Sequence, residues 1–409
     1  MSKFLKLFTK SEWLLISVVS LGYFCDVYDI LLFSAVRRPS LMAIGVPAEQ
    51  LANVGLTLLN WQLVGMLVGG IFWGVLADKK GRRSVLFASI IAYSVATFCN
   101  AFVTSVESYQ WLRFISGFGL AGELGIGVTM ITEVIAKEKR SYAVSILASF
   151  GMLGGVLAAL VAVKMPWQTS YMVGGGMGIL LLIFRLSVAD SPMFKKIYAS
   201  SIGKGNLLQL FGKRELLKKY LLCIAIGAPT YVFAGTFITL SPEYGIKLGL
   251  TKPPSAAIAL LYFYICLTVF DALSGLLSKK LKSRKKALNI FLGLQIVAVV
   301  VYLFLPLKSE TDFYLRCGLI GASLGYWTVL CVNAAEQFGI NLRSTVATSV
   351  PNWSRSFQVP FSFIFKPLAV SLGIIGAGAI VGIASVLIAI IAVFFLPERF
   401  EADADYVES

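Results

Sequence analysis

The chain has 409 residues, 57% hydrophobic and 14% charged, with a net charge of +15. That composition is too apolar and too poor in charge for a soluble globular protein. It contains no histidine, so imidazole chemistry is excluded and any proton handling falls to carboxylates.

About 20 apolar residues cross the roughly 30 Å of bilayer hydrocarbon. Segments of that kind are predicted, in chain order, near 12–36, 55–77, 84–105, 111–135, 142–164, 168–189, 219–241, 255–278, 286–306, 313–337, 345–371 and 374–397. The expectation is an all-α polytopic membrane protein with twelve transmembrane helices. An outer-membrane barrel would instead show alternating segments of about 10 residues. The first apolar segment is too long for the core of a cleaved signal, and no small-residue cleavage site follows it. Charges at span ends were counted with the adjoining loop. With the N-terminus inside, 25 of the 36 lysines and arginines then fall on inside segments, 6 outside and 5 within spans. This bias places both termini in the cytoplasm. It accounts for the net charge without a nucleic-acid partner. Cys25, Cys99, Cys223, Cys266, Cys317 and Cys331 all fall within spans and form no CxxC pair. Neither a disulfide framework nor a metal or cofactor site is expected.

The chain repeats itself. "RFISGFGLAGELGIGVTMITEVIAKEKRS" at 113–141 aligns with "RCGLIGASLGYWTVLCVNAAEQFGINLRS" at 316–344. Arg113, Gly122, Glu133, Arg140 and Ser141 match Arg316, Gly325, Glu336, Arg343 and Ser344 at one offset of 203 residues. "GVLADKKGRR" at 74–83 has a degraded partner in "GLLSKKLKSR" at 275–284, and "DSPMF" after span 6 echoes "LPERF" after span 12. A repeat of half the chain length in a twelve-span protein points to a secondary transporter with its site near the midplane between the halves. The predicted division is an N-terminal six-helix half (1–190), a cytoplasmic central loop (191–218) and a C-terminal six-helix half with a short tail (219–409).

"GVLADKKGRR" resembles the loop 2–3 signature of the major facilitator superfamily, roughly G-x-L-A-D-x-x-G-R-R, and sits in the loop where that family carries it. "DVYD" in span 1, "RFISGFGLAGE" in span 4, and the "DSPMF" and "LPERF" span ends resemble the metabolite:proton symporter and sugar-porter-like branches. Span 7, "IGAPTYVFAGTFITL", lacks the paired glutamines of sugar porters, and the C-terminal end lacks their full Pro-Glu-Thr-Lys-Gly. Both departures count against a hexose. Span 5, "SFGMLGGVLAAL", has closely spaced glycines but no proline, and only weakly resembles the antiporter motif of drug exporters. The resemblance implies that spans 1 and 4 are neighbours. It also implies that Asp78, Arg82, Arg83, Glu133 and Arg140, with Glu336 and Arg343 from the second half, form a cytoplasmic charge gate. Lys279 replaces the motif aspartate in the second half, so the gate is expected to be asymmetric.

Within the spans, Asp26 and Asp29 share a helix face as i and i+3. At a rise of 1.5 Å per residue they lie roughly 21 and 25 Å above the cytoplasmic end, and Arg113 lies roughly 27 Å up. Asp29 and Arg113 are therefore expected to pair, which is the cheapest way to bury both charges. At roughly 6 Å and an effective dielectric near 20, the two aspartates repel by about 3 kcal/mol. The carboxylate left unneutralised is expected to titrate and carry a proton, with Glu123, lower in span 4, also a candidate. A fixed ion-pair network that only orients span 1 is the structural alternative.

In span 11, Asn352, Arg355 and Gln358 recur every third residue. Arg355 lies about 15 Å from the cytoplasmic end, near the midplane. A lone arginine there needs a partner, and its fork suits a carboxylate or phosphate. That partner is either a substrate or Glu123. Tyr326, Trp327 and Asn333 in span 10, with Asn60 and Gln62 in span 2, are candidates for the same cavity. Asp271 in span 8 ranks below them.

The resulting expectation is a monomeric carrier in the plasma (bacterial inner) membrane. It imports a small polar metabolite, an organic anion or amino-acid-like zwitterion, by proton symport and alternating access. Its partners are the substrate, protons and the lipid bilayer. An exporter or antiporter of the same fold is one rival, and a non-transporting sensor on a carrier scaffold is another. Neither a phosphate-binding loop nor a nucleophile–base pair is apparent, so an enzyme is not expected.

Overall fold

A computed structural model describes residues 7–80, 82–189 and 207–400. No strand occurs among them. The principal helices are α1 (Lys10–Ala43), α2 (Leu51–Lys80), α3 (Arg82–Cys99), α4 (Val106–Val134), α5 (Lys137–Lys164) and α6 (Trp167–Ala189). After residue 207 they are α7 (Arg214–Ile226), α8 (Ala256–Leu281), α9 (Arg284–Phe304), α10 (Glu310–Ser323), α11 (Trp327–Glu336), α12 (Ile340–Ser356) and α13 (Gln358–Phe395). Starts are set by local chemistry. Thr9 and Glu12 form a reciprocal capping box ahead of α1, and Ser105, Ser255, Ser283 and Ser309 each accept a backbone N–H at a helix start. These oxygens satisfy donors that a first turn leaves unpaired.

Among the described residues, nine segments are long and apolar enough to cross a membrane. One of them, Ser349–Phe395, has 47 residues, about 70 Å of helix at 1.5 Å per residue, more than twice the hydrocarbon thickness. It breaks at Gly373, whose φ of 71° only glycine adopts at little cost. Large apolar side chains face outward along the helices, among them Ile71, Phe72, Leu180, Leu276, Val370 and Phe394. In water that surface would be an aggregation hazard; in lipid it is the ordinary solvent face.

Close helix approach depends on small residues. An added Cβ on Gly117 of α4 would fall within 2.0 Å of the Gln62 carbonyl oxygen of α2, and one on Gly65 within 2.2 Å of the Phe114 carbonyl oxygen. The two backbones therefore touch, as glycine-lined membrane interfaces allow. α1 packs on α5 and α6, α3 on α4 and α6, and α8 on α10. Contacts of α5 with α8, α2 with α12 and α13, and α4 with α12 join the segments before residue 190 to those after 207.

Three helical passages are irregular where the sequence predicts plain spans. The passage begun by α7 runs through Ala228–Val232 into a π-helical stretch, Phe233–Ile238. Predicted span 10 is split into α10 and α11 by Leu324, Gly325 and Tyr326. Predicted span 11 turns at Phe357, between α12 and α13. These irregularities bring polar backbone and side chains together deep in the protein, the one setting where non-helical backbone is tolerated at membrane depth.

Candidate substrate and coupling site

The two aspartates of α1 enter different networks. Asp29 is 2% exposed. The Thr97 hydroxyl donates to its Oδ1 at 2.7 Å and the Ser116 hydroxyl to its Oδ2. The expected direct contact with Arg113 is replaced by these bonds. Arg113 is fully buried. Its Nη2 donates to Gln62 Oε1 and its guanidinium sits 4.9 Å from the Phe33 ring centroid. Two hydroxyls satisfy the carboxylate's lone pairs, while an amide oxygen and a π-face take up part of the arginine's charge. The sequence predicts the depth of Asp29 and Arg113, but it could not show that α3 supplies Thr97. Asp26, one turn earlier, is 1% exposed and lies within electrostatic range of Arg355, more than 300 residues away in sequence.

Arg355 is the centre of the second network. It is 2% exposed. Its Nη1 donates to Asn352 Oδ1 and its Nη2 to the Tyr23 hydroxyl, both at 3.4 Å, at the long end for a charge-assisted bond. The Tyr231 and Trp327 ring centroids lie 5.5 and 5.8 Å from its Cζ. The four ion pairs of the described residues join Arg37 to Glu243, Lys139 to Glu12, Arg284 to Glu336 and Arg316 to Asp312; Arg355 enters none of them. A buried guanidinium held by weak hydrogen bonds and two aromatic faces retains capacity for an anionic ligand. Neither Tyr23 nor Tyr231 stands out in the sequence. Tyr23 stands three residues before Asp26, which was the one available signal.

Of the other predicted lining residues, Trp327 joins this cluster and the rest make contacts of their own. Trp327 is the first residue of α11, just after the break. Tyr326 is fully buried and its hydroxyl donates to the Ile226 carbonyl at 3.0 Å, so it anchors the break to α7. Asn333 is 1% exposed, and its amide atoms have no hydrogen-bond partner among the described residues. Gln358 is buried against Gly235 of the π-helical stretch, with its amide likewise unpartnered. Asn60 donates to Ser362 Oγ at 2.5 Å, and Gln62 holds Arg113. Asp271 accepts from the Thr328 N–H at 2.8 Å and the Thr328 hydroxyl at 2.6 Å. It therefore caps α11 and fixes the start of the helix that carries Trp327.

A charge cluster joins the start of α9, the end of α11 and the segment that follows α13. Arg284 Nε and Nη2 donate to the two Glu336 oxygens at 3.0 and 2.8 Å, and the Arg284 guanidinium lies 4.7 Å from the Phe400 ring centroid. Glu398 accepts from the N–H groups of Arg284 and Lys285, each at 3.1 Å, and from the Ser283 hydroxyl. Burial alone would push the Glu398 carboxyl up; the hydrogen bonds from Ser283 and the backbone outweigh it and hold the group below the usual glutamate range. Of the predicted gate residues, Glu336 thus joins the cluster, with Arg284 as a partner that the degraded "GLLSKKLKSR" copy could have disclosed. The side chains of Asp78, Arg82, Arg83, Glu123, Glu133, Arg140 and Arg343 lie outside the described residues.

A further set of contacts was not legible in the sequence. Arg37 Nη2 donates to both oxygens of Glu243 at 2.7 Å and its Nη1 to the Leu51 carbonyl at 2.8 Å. Thr239 donates to Ser34 Oγ at 2.8 Å and Lys366 to Thr57 Oγ1 at 2.8 Å. Each of these side-chain pairs joins a residue before 190 to one after 207.

The fold and site define a polytopic helical membrane protein with buried charge networks between its helices. The sequence matches the Major Facilitator Superfamily over residues 19–350, and the chain belongs to that family of membrane transporters. It is similar to a Bacillus subtilis protein named for niacin and nicotinamide transport, NiaP (25% identity, 88% of each chain). It is similar also to the niacin transporter NiaP of Acinetobacter baylyi (26% identity, 82% of each chain). Synaptic vesicle glycoprotein 2A of Rattus norvegicus shares 32% identity over 151 residues, 37% of this chain and 20% of that one. The fold is similar to that of a D-xylose-proton symporter, with a TM-score of 0.73 at 17% identity, covering 95% of this chain and 98% of the other.

Proposed function

We propose that this transporter imports a small, planar organic carboxylate such as nicotinate by proton-coupled alternating access, with Arg355 as the carboxylate ligand. The observation that carries the reading is Arg355 itself: a buried guanidinium in none of the described ion pairs, flanked by Tyr231 and Trp327. A ring-bearing acid satisfies both features, with its carboxylate on the guanidinium and its ring against an aromatic face. The names of the two bacterial relatives agree with that chemistry. The proposed architecture is twelve transmembrane helices in two six-helix halves, with both termini cytoplasmic. The 47-residue segment broken at Gly373 supports two passages there, and the lysine and arginine bias supports the orientation. Asp29 and Asp26 are the proposed proton carriers, Asp26 because its electrostatic contact with Arg355 gives proton and substrate one shared site.

The test is uptake of labelled nicotinate by proteoliposomes under an imposed pH gradient, inside alkaline. Accumulation that collapses with a protonophore supports symport. Uptake indifferent to the gradient removes proton coupling, and no competition by any aromatic monocarboxylate removes the substrate class. Accumulation under the reverse gradient would favour the antiport reading.

A further inference from the structure

A groove of about 390 Å³ opens on the lipid-facing side between α8 and α9. Phe270, Leu273, Leu276 and Leu277 line it from α8, and Ile290, Phe291 and Leu294 from α9. Its one charged lining residue is Lys280, in the last turn of α8. Leu273, Leu276 and Ile290 are 47, 67 and 51% exposed, so the groove faces hydrocarbon and not the protein interior.

The groove has the dimensions of half a bilayer. Ten residues separate Phe270 from Lys280, about 15 Å along the helix, which is half of the roughly 30 Å hydrocarbon core. An apolar slot of that depth ending at an ammonium group matches an acyl chain and the headgroup above it. Lys279, Lys282 and Lys286 are exposed beside the same end, and clustered basic residues at a membrane surface attract anionic headgroups. We infer that this groove binds one anionic phospholipid of the adjacent leaflet, with an acyl chain between α8 and α9 and the phosphate on Lys280.

Its inner wall touches the candidate transport site. A Cβ on Gly325, at the break between α10 and α11, would fall 2.6 Å from Phe270 Cβ, and the Phe291 ring lies 6.3 Å from Tyr326. A bound chain therefore packs against the residues that hold Trp327 in place.

The test is native mass spectrometry of the purified full chain in detergent, titrated with phosphatidylglycerol or phosphatidylcholine of matched acyl chains. Phosphatidylglycerol should be retained at least about 10-fold better. Lys280→Ala should remove the preference, Leu276→Trp should reduce retention of either lipid by filling the slot, and Lys286→Ala should keep most of the preference. The three substituted positions, Leu276, Lys280 and Lys286, are all exposed, so folding is checked by an unchanged gel-filtration profile. Equal retention of the two lipids, or a preference that survives Lys280→Ala, overturns the inference. So does retention untouched by Leu276→Trp, or a loss in Lys286→Ala equal to that in Lys280→Ala, which would mark a diffuse basic surface.

Discussion

Arg37 and Glu243, 206 residues apart, form an ion pair at 2.7 Å in which one guanidinium nitrogen donates to both carboxylate oxygens. The arginine is fully buried and the Glu243 side chain 18% exposed. The Arg37 stem lies on Gly55, where an added Cβ would fall 2.4 Å from its Cδ. The pair ties α1 to the segment after the π-helical stretch, and it is expected to act as a latch between them. Removing one partner leaves the other charge uncompensated, which is costly for the arginine.

Arg37→Ala should release this latch. A thiol reagent should react faster with Ser34→Cys in the Arg37→Ala background than in the parent. A double-mutant cycle with Glu243→Ala should give a coupling of about 2 kcal/mol, as for a charge-assisted bond partly shielded from water. Unchanged labelling would mean that the pair is packing and not a latch.

Arg355→Ala should weaken nicotinate binding by about 10- to 100-fold, the loss of a hydrogen-bonded charge partner. Arg355→Lys should recover only part of this, because a point charge cannot reproduce the planar fork or its contacts with Tyr231 and Trp327. Isothermal calorimetry on purified protein reads both. Native affinity in Arg355→Ala would exclude it as the carboxylate ligand.

Asp29→Asn keeps the size of the side chain and one oxygen for Thr97 or Ser116, but cannot exchange a proton. Gradient-driven accumulation should disappear while exchange of preloaded substrate persists. Persistence of accumulation would confine Asp29 to holding α1, α3 and α4 together.

Glu398 predicts a pH-dependent contribution to stability. Its carboxyl is held below the ordinary glutamate value of 4.5. A group depressed in the folded state stabilises fully above its unfolded value and loses that contribution as pH falls through the folded one. Melting temperature should therefore drop as pH is lowered below about 4.5, and Glu398→Gln should blunt that drop. The carboxylate is exposed and screened, so the effect should stay under about 1 kcal/mol. Identical acid melting curves for Glu398→Gln and the parent would show that the cap contributes nothing.

Much of the fold was legible because membrane insertion writes its demands into linear sequence. Apolar segments, basic loops and a half-length repeat need no knowledge of contacts. The superfamily was legible from "GVLADKKGRR" for the same reason: its glycine and charge spacing is local. The partners of the buried charges were not. Equal depth suggested Asp29 with Arg113, yet depth leaves rotation and neighbours open, and α3 and α4 filled the Asp29 oxygens with hydroxyls. The repeat misled in a related way. Arg113 and Arg316 align, but Arg316 is bonded to Asp312 and to the Val301, Leu305 and Pro306 carbonyls around the end of α9, whereas Arg113 lies among Gln62 and Phe33.

By itself the sequence determined that this is a polytopic α-helical transporter of the major facilitator kind, because hydrophobic length and charge bias are enforced residue by residue along the chain. It placed Arg355 and the two aspartates of α1 within predicted spans, where each needs a reason to be. Only the tertiary structure decided which groups meet: Asp29 with Thr97 and Ser116, Arg355 with Tyr23, Tyr231 and Trp327, Arg37 with Glu243. Those contacts join helices far apart in sequence, and they rest on helix rotation, on glycine-permitted approach and on breaks such as Gly325–Tyr326. None of these can be read from hydropathy.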